Sequence, residues 1–180
     1  MTFTRSIRSC LGKYASFSGR ASRSEYWWFF LFVFLTGAVA GVLDVQLFGS
    51  VTTSHSDSGA SAEVSSPTPI GSIVSLLLFL PHLAAAWRRM HDSGRSGLYA
   101  LFPFLMITGA GLVLIFGIGI ADIFSSGGSL DILFTRLTVL ILVPTLIVLV
   151  VSPLLVLFWL TRPSDPQDNR FGPVPPEVRG

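Results

Sequence analysis

Residues 137–160 read LTVLILVPTLIVLVVSPLLVLFWL, an apolar run without a single Asp, Glu, Lys or Arg. A helix rises about 1.5 Å per residue and the bilayer core is about 30 Å thick, so this run is long enough to span a membrane. Three further charge-free runs precede it, at 26–43, 70–87 and 98–121. Because a chain in lipid must satisfy its backbone polar groups internally, the sequence predicts an all-α integral membrane protein with four transmembrane helices.

The basic residues are distributed unevenly between these runs. Of the 12 Lys and Arg residues, eleven precede the first run or follow the second or the fourth, which places them on one side of the membrane. Arg136 follows the third run and is the exception. Lys and Arg in short loops resist translocation, so both termini and the turn 88–97 are predicted to be cytoplasmic. The segments 44–69 and 122–136 then face outward. The other basic residues are Arg5, Arg8, Lys13, Arg20, Arg23, Arg88, Arg89, Arg95, Arg162, Arg170 and Arg179.

This charge distribution also explains the isoelectric point of about 9.1. Excess positive charge on inner loops is what a multispanning protein carries, so we expect no nucleic-acid partner. The single cysteine, Cys10, excludes an intramolecular disulfide. Ala38-Val39-Ala40 resembles a signal-peptide cleavage site, but the long basic region before it favours an uncleaved first span.

The predicted organisation has three parts. Residues 1–25 form a cytoplasmic amphipathic segment and a helix-capping junction, residues 26–160 form the membrane domain, and residues 161–180 form a cytoplasmic tail. Within the membrane domain, the Ser-, Thr-, Gly- and Ala-rich segment 44–69 is predicted to be a flexible outer loop, because it cannot bury enough apolar surface to order itself.

The N-terminal segment predicts an amphipathic helix over Thr2–Phe17. At about 100° per residue its apolar side chains share about a third of the circumference. Such a helix can lie in the inner headgroup region with its cations near anionic lipid, and the alternative is that it packs on the protein's own loops. The apolar side chains are Phe3, Ile7, Cys10, Leu11, Tyr14 and Phe17.

Ser22-Arg23-Ser24-Glu25 has the pattern of a capping box that begins the first span. In this arrangement the Ser22 hydroxyl accepts from the Glu25 backbone amide, and the Glu25 carboxylate accepts from the Ser22 amide. Within the spans, His82 follows Pro81, and we expect it to hydrogen-bond a carbonyl freed by the proline rather than to relay protons. Pro103, Pro144 and Pro153 are predicted to kink the third and fourth helices.

The densest polar stretch is Trp87-Arg88-Arg89-Met90-His91-Asp92-Ser93-Gly94-Arg95-Ser96-Gly97, which must form a tight turn between two spans. Gly94 is suited to a positive φ, and Asp92 can hydrogen-bond the turn backbone. The three arginines can clasp a phosphate, because guanidinium groups match its oxygens. Alternatively they can pair with Glu25, Asp92, Asp165 and Asp168 and lock the helix ends together.

Three motifs carry a family resemblance. They are Phe17-Ser18-Gly19-Arg20-Ala21-Ser22-Arg23-Ser24-Glu25-Tyr26-Trp27, the turn Arg88–Gly97, and Asn169-Arg170-Phe171-Gly172-Pro173. Together they resemble the bacterial inner-membrane family of domain of unknown function 805, with Met90 and Phe171 departing from the family's usual Leu and Tyr. The resemblance implies a small multipass protein of the bacterial cytoplasmic membrane, and it supplies no catalytic residue.

All three motifs fall on the predicted cytoplasmic side, where they can form one site. The alternative is that each charged residue stabilises only its own turn or helix end. We favour a non-enzymatic scaffold or sensor whose charged face binds an anionic headgroup, a nucleotide or a partner protein. The alternative is a lipid-active enzyme that uses His91 and Asp92. The predicted cytoplasmic polar cluster comprises Arg20, Arg23, Glu25, Arg88, Arg89, His91, Asp92, Arg95, Asn169 and Arg170.

No cofactor and no metal site is predicted, because the histidines lie at different levels and Cys10 is alone. The expected partners are membrane lipids, including anionic headgroups, with a homo-oligomer or a membrane protein partner left open.

Overall fold

The computed structural model describes the backbone of residues 1–56, 59–65, 67–125 and 131–178, and the side chains of residues 1–50, 67–112, 115, 140 and 142–178. Five α-helices follow one another in the described chain, with a two-stranded ribbon after the second and a 3₁₀ helix, Gly97–Leu101, after the third. The elements are α1 Phe3–Gly12, α2 Arg23–Phe48, β1 Ser50–Ser56, β2 Gly59–Ser65, α3 Pro69–Asp92, α4 Phe102–Ser125 and α5 Asp131–Thr161.

Three helical segments in the described chain are long and apolar enough to cross a membrane: Arg23–Phe48, Pro69–Asp92 and Leu142–Thr161. Gly97–Leu112 is a shorter apolar helical segment, and α4 continues beyond it to Ser125. Helix α2 packs along α3, and α4 packs along α5. Many apolar side chains on these helices remain exposed, such as Leu76 at 76%. Such surfaces suit a lipid environment, where apolar exposure carries no hydrophobic cost.

The helix bounds differ from the sequence prediction at several ends. Helices α2, α3 and α5 extend beyond their charge-free runs at both ends. Helix α4 begins inside its run, at Phe102, and continues past it to Ser125. Pro103 is the second residue of α4, where its missing N–H has no helical partner to lose, so it begins the helix instead of kinking it. Pro144 and Pro153 lie inside α5, which continues through both.

The segment predicted to be a flexible outer loop is different in the structure. Residues up to Phe48 belong to α2, and Ser50–Ser56 pairs antiparallel with Gly59–Ser65. The β-branched residues of the first strand favour extended backbone, and the two strands satisfy each other's amide groups. The prediction of an unordered connector is therefore wrong for these strands, and a small β-ribbon accompanies the all-helical membrane part.

Asp44, near the end of α2, binds the start of α3 next to the β-ribbon. Its buried carboxylate accepts hydrogen bonds from the backbone amides of Ile70 at 2.9 Å and Gly71 at 2.7 Å. Thr68, the N-cap residue immediately before α3, makes no side-chain capping bond, so Asp44 supplies the missing acceptor from another helix. The start of α3 is thereby fixed to the end of α2.

Helix α1 is shorter than the predicted Thr2–Phe17 segment and packs on α2 and α3. Ser6 and Cys10 are buried at this contact, which favours the alternative in which the helix packs on the protein. Phe3, Leu11 and Tyr14 remain more than a third exposed. The same helix therefore keeps an apolar surface that can contact lipid.

Candidate functional site

The two largest fully buried side chains in the described structure are Arg88 and Arg89, at the C-terminal end of α3. Burying a charge is costly unless it is paired and hydrogen-bonded. The neighbouring elements supply these partners: the segment before α2, the start of α2, the end of α5 and the tail. We call the five ion-paired residues Arg20, Glu25, Arg88, Arg89 and Asp92 the charge clasp.

Asp92 lies between two arginines of the charge clasp. Its Oδ1 accepts from Arg20 Nε at 3.0 Å, and its Oδ2 accepts from Arg89 Nη1 at 2.5 Å. The carboxylate is fully buried, as is the guanidinium of Arg89, and that of Arg20 is 1% exposed. The prediction that Asp92 hydrogen-bonds its own turn is wrong, because two cations compete more strongly for its oxygens than neutral amides do.

Arg20 also binds the tail, through backbone carbonyls. Its Nη1 donates to Gln167 at 2.7 Å, and its Nη2 donates to Asp165 at 2.6 Å. Arg89 binds the end of α5 in the same way, donating to the carbonyls of Leu160 and Arg162. Helix C-terminal carbonyls have no partner within the helix, so these bonds satisfy acceptors that would otherwise be orphaned.

Glu25 and Arg88 form the second ion pair of the clasp. Arg88 Nη1 donates to Glu25 Oε1 at 3.0 Å, and Ser9 Oγ donates to the same oxygen at 2.9 Å. The Cys10 Sγ lies 3.7 Å from it. Burial, and secondarily the Glu25 charge, raise the pKa of the Cys10 thiol to about 12. This pair therefore connects α1 to α2 and α3.

The predicted capping box is half present. The Ser22 hydroxyl accepts from the Glu25 amide at 3.2 Å, as predicted. The Glu25 carboxylate, however, is directed to Arg88 and Ser9, because a buried cation is a stronger partner than the backbone amide of Ser22.

His91 and Asn169 join the charge clasp to the third motif. The His91 ring stacks on Phe171 with centroids 3.9 Å apart, and its Nδ1 lies 3.1 Å from the Gly19 carbonyl. Asn169 Nδ2 donates to the His91 carbonyl at 3.0 Å, and its Oδ1 accepts from the Phe171 amide. The three motifs are thus brought together at one end of the helices.

The remaining residues of the predicted cluster lie at its edge. Arg23 and Arg170 are exposed, and Arg170 lies over the Phe171 ring at 4.6 Å. Arg95 lies over the Trp159 ring at 5.4 Å. None of these three forms an ion pair in the part of the chain that the structure describes. Sequence reasoning missed Ser9 and the carbonyls of the tail, which carry no local pattern that marks them as partners. It named Phe171 as part of the third motif but did not assign it to the cluster.

The turn after α3 is shaped by two glycines. Gly94 has a φ of +72°, which confirms its predicted positive value. Gly97 packs against the Trp87 indole so closely that an added Cβ would lie 2.1 Å from ring atoms. Trp87 can therefore pack over this position only because residue 97 lacks a side chain.

Pro81 explains why a carbonyl inside α3 accepts a hydrogen bond from the Tyr14 side chain. A proline frees the carbonyl four residues earlier, which is that of Leu77. The Tyr14 hydroxyl donates to this carbonyl, so the prediction that His82 would use the freed carbonyl is wrong. His82 instead places Nε2 3.4 Å from the Tyr26 hydroxyl.

A cavity of about 520 Å³ borders the clasp between α1 and the tail, and Glu25, Arg88, Lys13 and Glu177 are among its lining residues. In the described residues, Arg88 Nε is a buried donor without a hydrogen-bond partner. No group of three or more His, Cys, Asp or Glu side chains in the described ranges is arranged to hold a metal ion.

Comparison with known proteins gives a consistent match. The family model described as Protein of unknown function (DUF805) matches residues 14–173, a range that includes all three motifs. The chain is similar to inner membrane protein YhaI of Escherichia coli (strain K12), with 38% identity over 108 residues, which is 60% of this chain and 78% of the relative. It is also similar to inner membrane protein YhaH of the same strain, with 32% identity over 106 residues, 59% of this chain and 78% of the relative. No solved structure matches the chain.

Proposed function

Because the chain belongs to the family of proteins of unknown function DUF805, and its relatives YhaI and YhaH are inner membrane proteins, we propose that it is a non-enzymatic membrane module. It acts as a scaffold or sensor whose charged cytoplasmic face binds an anionic headgroup, a nucleotide or a partner protein. The observation that carries this proposal is the charge clasp, in which Asp92 joins Arg20 to Arg89 and both arginines bind carbonyls of the C-terminal end. Such a network builds a rigid platform from three separate chain segments.

In this proposal α2, α3, α4 and α5 all cross the cytoplasmic membrane of a bacterium, and both termini lie in the cytoplasm. The concentration of Lys and Arg around the clasp supports that orientation. The Arg20 contacts with the tail support a shared side for both termini.

Cysteine accessibility tests this topology. In a Cys10→Ala background, Thr68→Cys is expected to react with a membrane-impermeant maleimide in cells whose outer membrane has been permeabilised. Ser18→Cys is expected to react only after the inner membrane is opened. The opposite pattern would reverse the proposed orientation, and equal reaction of both in sealed inner membranes would contradict the spans.

The alternative enzyme would use His91 and Asp92. Asp92 is fully buried between two arginines, so a substrate cannot reach its carboxylate. The His91 ring is stacked on Phe171, and its Nδ1 is engaged with Gly19. Both side chains have structural partners, and no observation in the described residues favours their acting on a substrate.

Photo-crosslinking in cells tests the proposed binding role. We expect a photoreactive amino acid at Arg170, on the exposed side of the third motif, to give a discrete adduct that mass spectrometry can identify. The same amino acid at Leu76, which is 76% exposed on α3, is the lipid-facing control and is expected to give diffuse lipid adducts. Identical diffuse adducts at both positions would argue against a specific cytoplasmic binder.

The enzyme alternative needs a separate readout. Phospholipid composition is measured in cells that express the wild type or His91→Ala. A composition that changes with wild type and reverts with His91→Ala, at equal protein level, would replace the binding proposal with the enzyme.

A further inference from the structure

The arginines near the clasp fall into two groups. Arg20, Arg88 and Arg89 are buried and use their donors on carboxylates and carbonyls of the protein. Arg95 is partly exposed and Arg162 is exposed. Each guanidinium lies over an aromatic ring of the last turn of α5: Trp159 at 5.4 Å and Phe158 at 5.9 Å. Stacking leaves the edge of a guanidinium, where its N–H groups point, open to an acceptor.

These two surface arginines retain donor capacity. Within the described residues, the Arg95 side chain makes one hydrogen bond, a long one of 3.3 Å from Nη1 to the Ser93 carbonyl. The Arg162 side chain makes no hydrogen bond or ion pair within the described residues. A guanidinium carries five N–H donors, so most donors of this pair can serve a ligand.

Both arginines line one cavity of about 510 Å³, between the turn after α3 and the segment after α5. Ser164 and Asp165 also line it, adding a hydroxyl and a carboxylate. A volume of this order is within the range of about 300–1,000 Å³ that small-molecule sites occupy. The cavity is therefore large enough for a phospholipid headgroup.

Its position is at the edge of the membrane-facing surface. Phe158 is 57% exposed on the final turn of α5, and Trp159 is next to it. Trp and other aromatic residues concentrate at membrane interfaces, and arginine stems extend along them toward the phosphates. A lipid whose chains lie along α5 would thus have its headgroup at the cavity.

The local electrostatics favour an anion despite two helix C-termini. Carbonyls at the ends of α3 and α5 would repel an anion if they were free. Arg89 donates to the Leu160 and Arg162 carbonyls, and the Ser93 and Arg95 amides donate to the Met90 carbonyl. With these carbonyls satisfied, two arginines face one carboxylate, Asp165, and the lining keeps an excess positive charge.

We infer that this cavity binds the headgroup of an anionic phospholipid, which deepens and rests on the proposed binding function. Arg95 and Arg162 bind the phosphodiester oxygens, and the Ser164 hydroxyl supplies a further donor. Asp165 accepts from a hydroxyl-bearing headgroup, and this selects a polyol lipid such as phosphatidylglycerol over one that presents only a bare phosphate.

Native mass spectrometry of the full chain released from nanodiscs tests this site. Wild-type protein is compared in phosphatidylcholine membranes that contain either phosphatidylglycerol or phosphatidylethanolamine. The site variant is Arg95→Gln with Arg162→Gln. The matched control is Arg5→Gln with Arg8→Gln, which removes the same charge from exposed positions of α1, outside the cavity and outside the predicted polar cluster.

Wild type and control are expected to retain one phosphatidylglycerol molecule, with a preference over phosphatidylcholine that falls about tenfold in the site variant. Equal loss in the control would assign the preference to general surface charge and overturn the site. Equal retention of phosphatidylcholine or phosphatidylethanolamine by wild type would overturn the anionic headgroup. The two double variants are also compared by their melting temperatures in detergent, which must agree. If the site variant loses both stability and lipid, the single variants Arg162→Lys and Arg162→Gln replace it. Of these two, only Arg162→Gln should lose the lipid.

A parallel measurement distinguishes lipid from free phosphate. Isothermal titration of the detergent-solubilised protein with inorganic phosphate is expected to show no saturable binding at millimolar concentration. Saturable binding that depends on Arg95 and Arg162 would overturn the lipid assignment in favour of a soluble phosphate compound. If the Arg170 crosslink gives a discrete adduct but the protein shows no lipid preference, the lipid site is refuted and the proposed binding function stands. If neither the adduct nor the lipid preference is observed, both proposals are refuted.

Discussion

Arg20 Nε lies 3.0 Å from Asp92 Oδ1 although 72 positions of the chain separate the two residues, and both side chains are buried. Asp92 also binds Arg89, so one carboxylate neutralises two guanidinium groups. Removing its charge would leave two buried cations facing each other.

Asp92→Asn is therefore expected to destabilise the folded protein by about 3–5 kcal/mol, the range found when one partner of a buried ion pair is removed. The measurement is thermal or denaturant unfolding in detergent, with Arg5→Gln on the exposed side of α1 as the control. An unfolding midpoint unchanged from wild type would show that the charge clasp contributes nothing to stability.

This pair also shows how far the sequence determined the structure. Charge-free runs, the Ser22 cap and the positive φ of Gly94 are local signals. The structure agrees with the cap, with the positive φ and with three of the four runs as helices long enough to span a membrane. The family resemblance drawn from the three motifs is confirmed by the family match. The choice of ion-pair partners is not local, because several arginines and carboxylates of equal chemistry compete and only the packing of the helices decides between them.

The sequence left two uses of the arginines open, as a structural clasp or as a ligand site. The structure assigns Arg88 and Arg89 to internal pairs and leaves Arg95 at the surface. Arg88 and Arg89 lie in the last turns of α3 and are buried against the other helices. Arg95 belongs to the same motif but lies in the turn after α3, where its side chain is partly exposed. The strand pairing of 50–56 with 59–65 was likewise missed, since polar, serine-rich composition outweighed the β-branched residues.

Gly97→Ala tests the close approach of Trp87. The added methyl would overlap the indole at 2.1 Å, so the ring must move, and we expect a loss of about 1–3 kcal/mol. Unfolding in detergent gives the free energy, and Gly37→Ala, whose Cβ would meet nothing within 4 Å, is the matched control. Equal stability of the two variants would mean that Trp87 does not pack over residue 97.

The Cys10 thiol gives a pH-dependent prediction. Burial and Glu25 raise its pKa from about 9 to about 12, so the thiol stays protonated at pH values where an unfolded cysteine ionises. Its contribution to the free energy of unfolding is full below about pH 9 and is lost as the pH rises through about 12. Because the thiolate is the reactive form, Cys10 is expected to resist alkylation between pH 7 and about 9.

Alkylation rates measured by intact mass check this expectation. Ser18→Cys in a Cys10→Ala background is the exposed control, and its rate is expected to rise with pH toward the ordinary thiol pKa. Addition of denaturant should make Cys10 react like the control. Alkylation of native Cys10 at the control rate would contradict its burial beside Glu25 and Arg88.

Asp44 provides the final prediction, at the end of the molecule opposite the charge clasp. Its two oxygens accept from the Ile70 and Gly71 amides, and a carboxylate at a helix N-terminus also interacts favourably with the helix dipole. Asp44→Ala leaves these amides without an acceptor, and we expect a loss of about 1–2 kcal/mol together with faster hydrogen exchange at Ile70 and Gly71. Gln46→Ala, an exposed change two residues further along α2, should alter neither. Because Asp44 contacts only the start of α3, the faster exchange should be confined to the first turn of α3 and should not reach the Arg88–Glu25 pair. Faster exchange along the whole of α3 would contradict this local role and would show that Asp44 stabilises the entire α2–α3 pair.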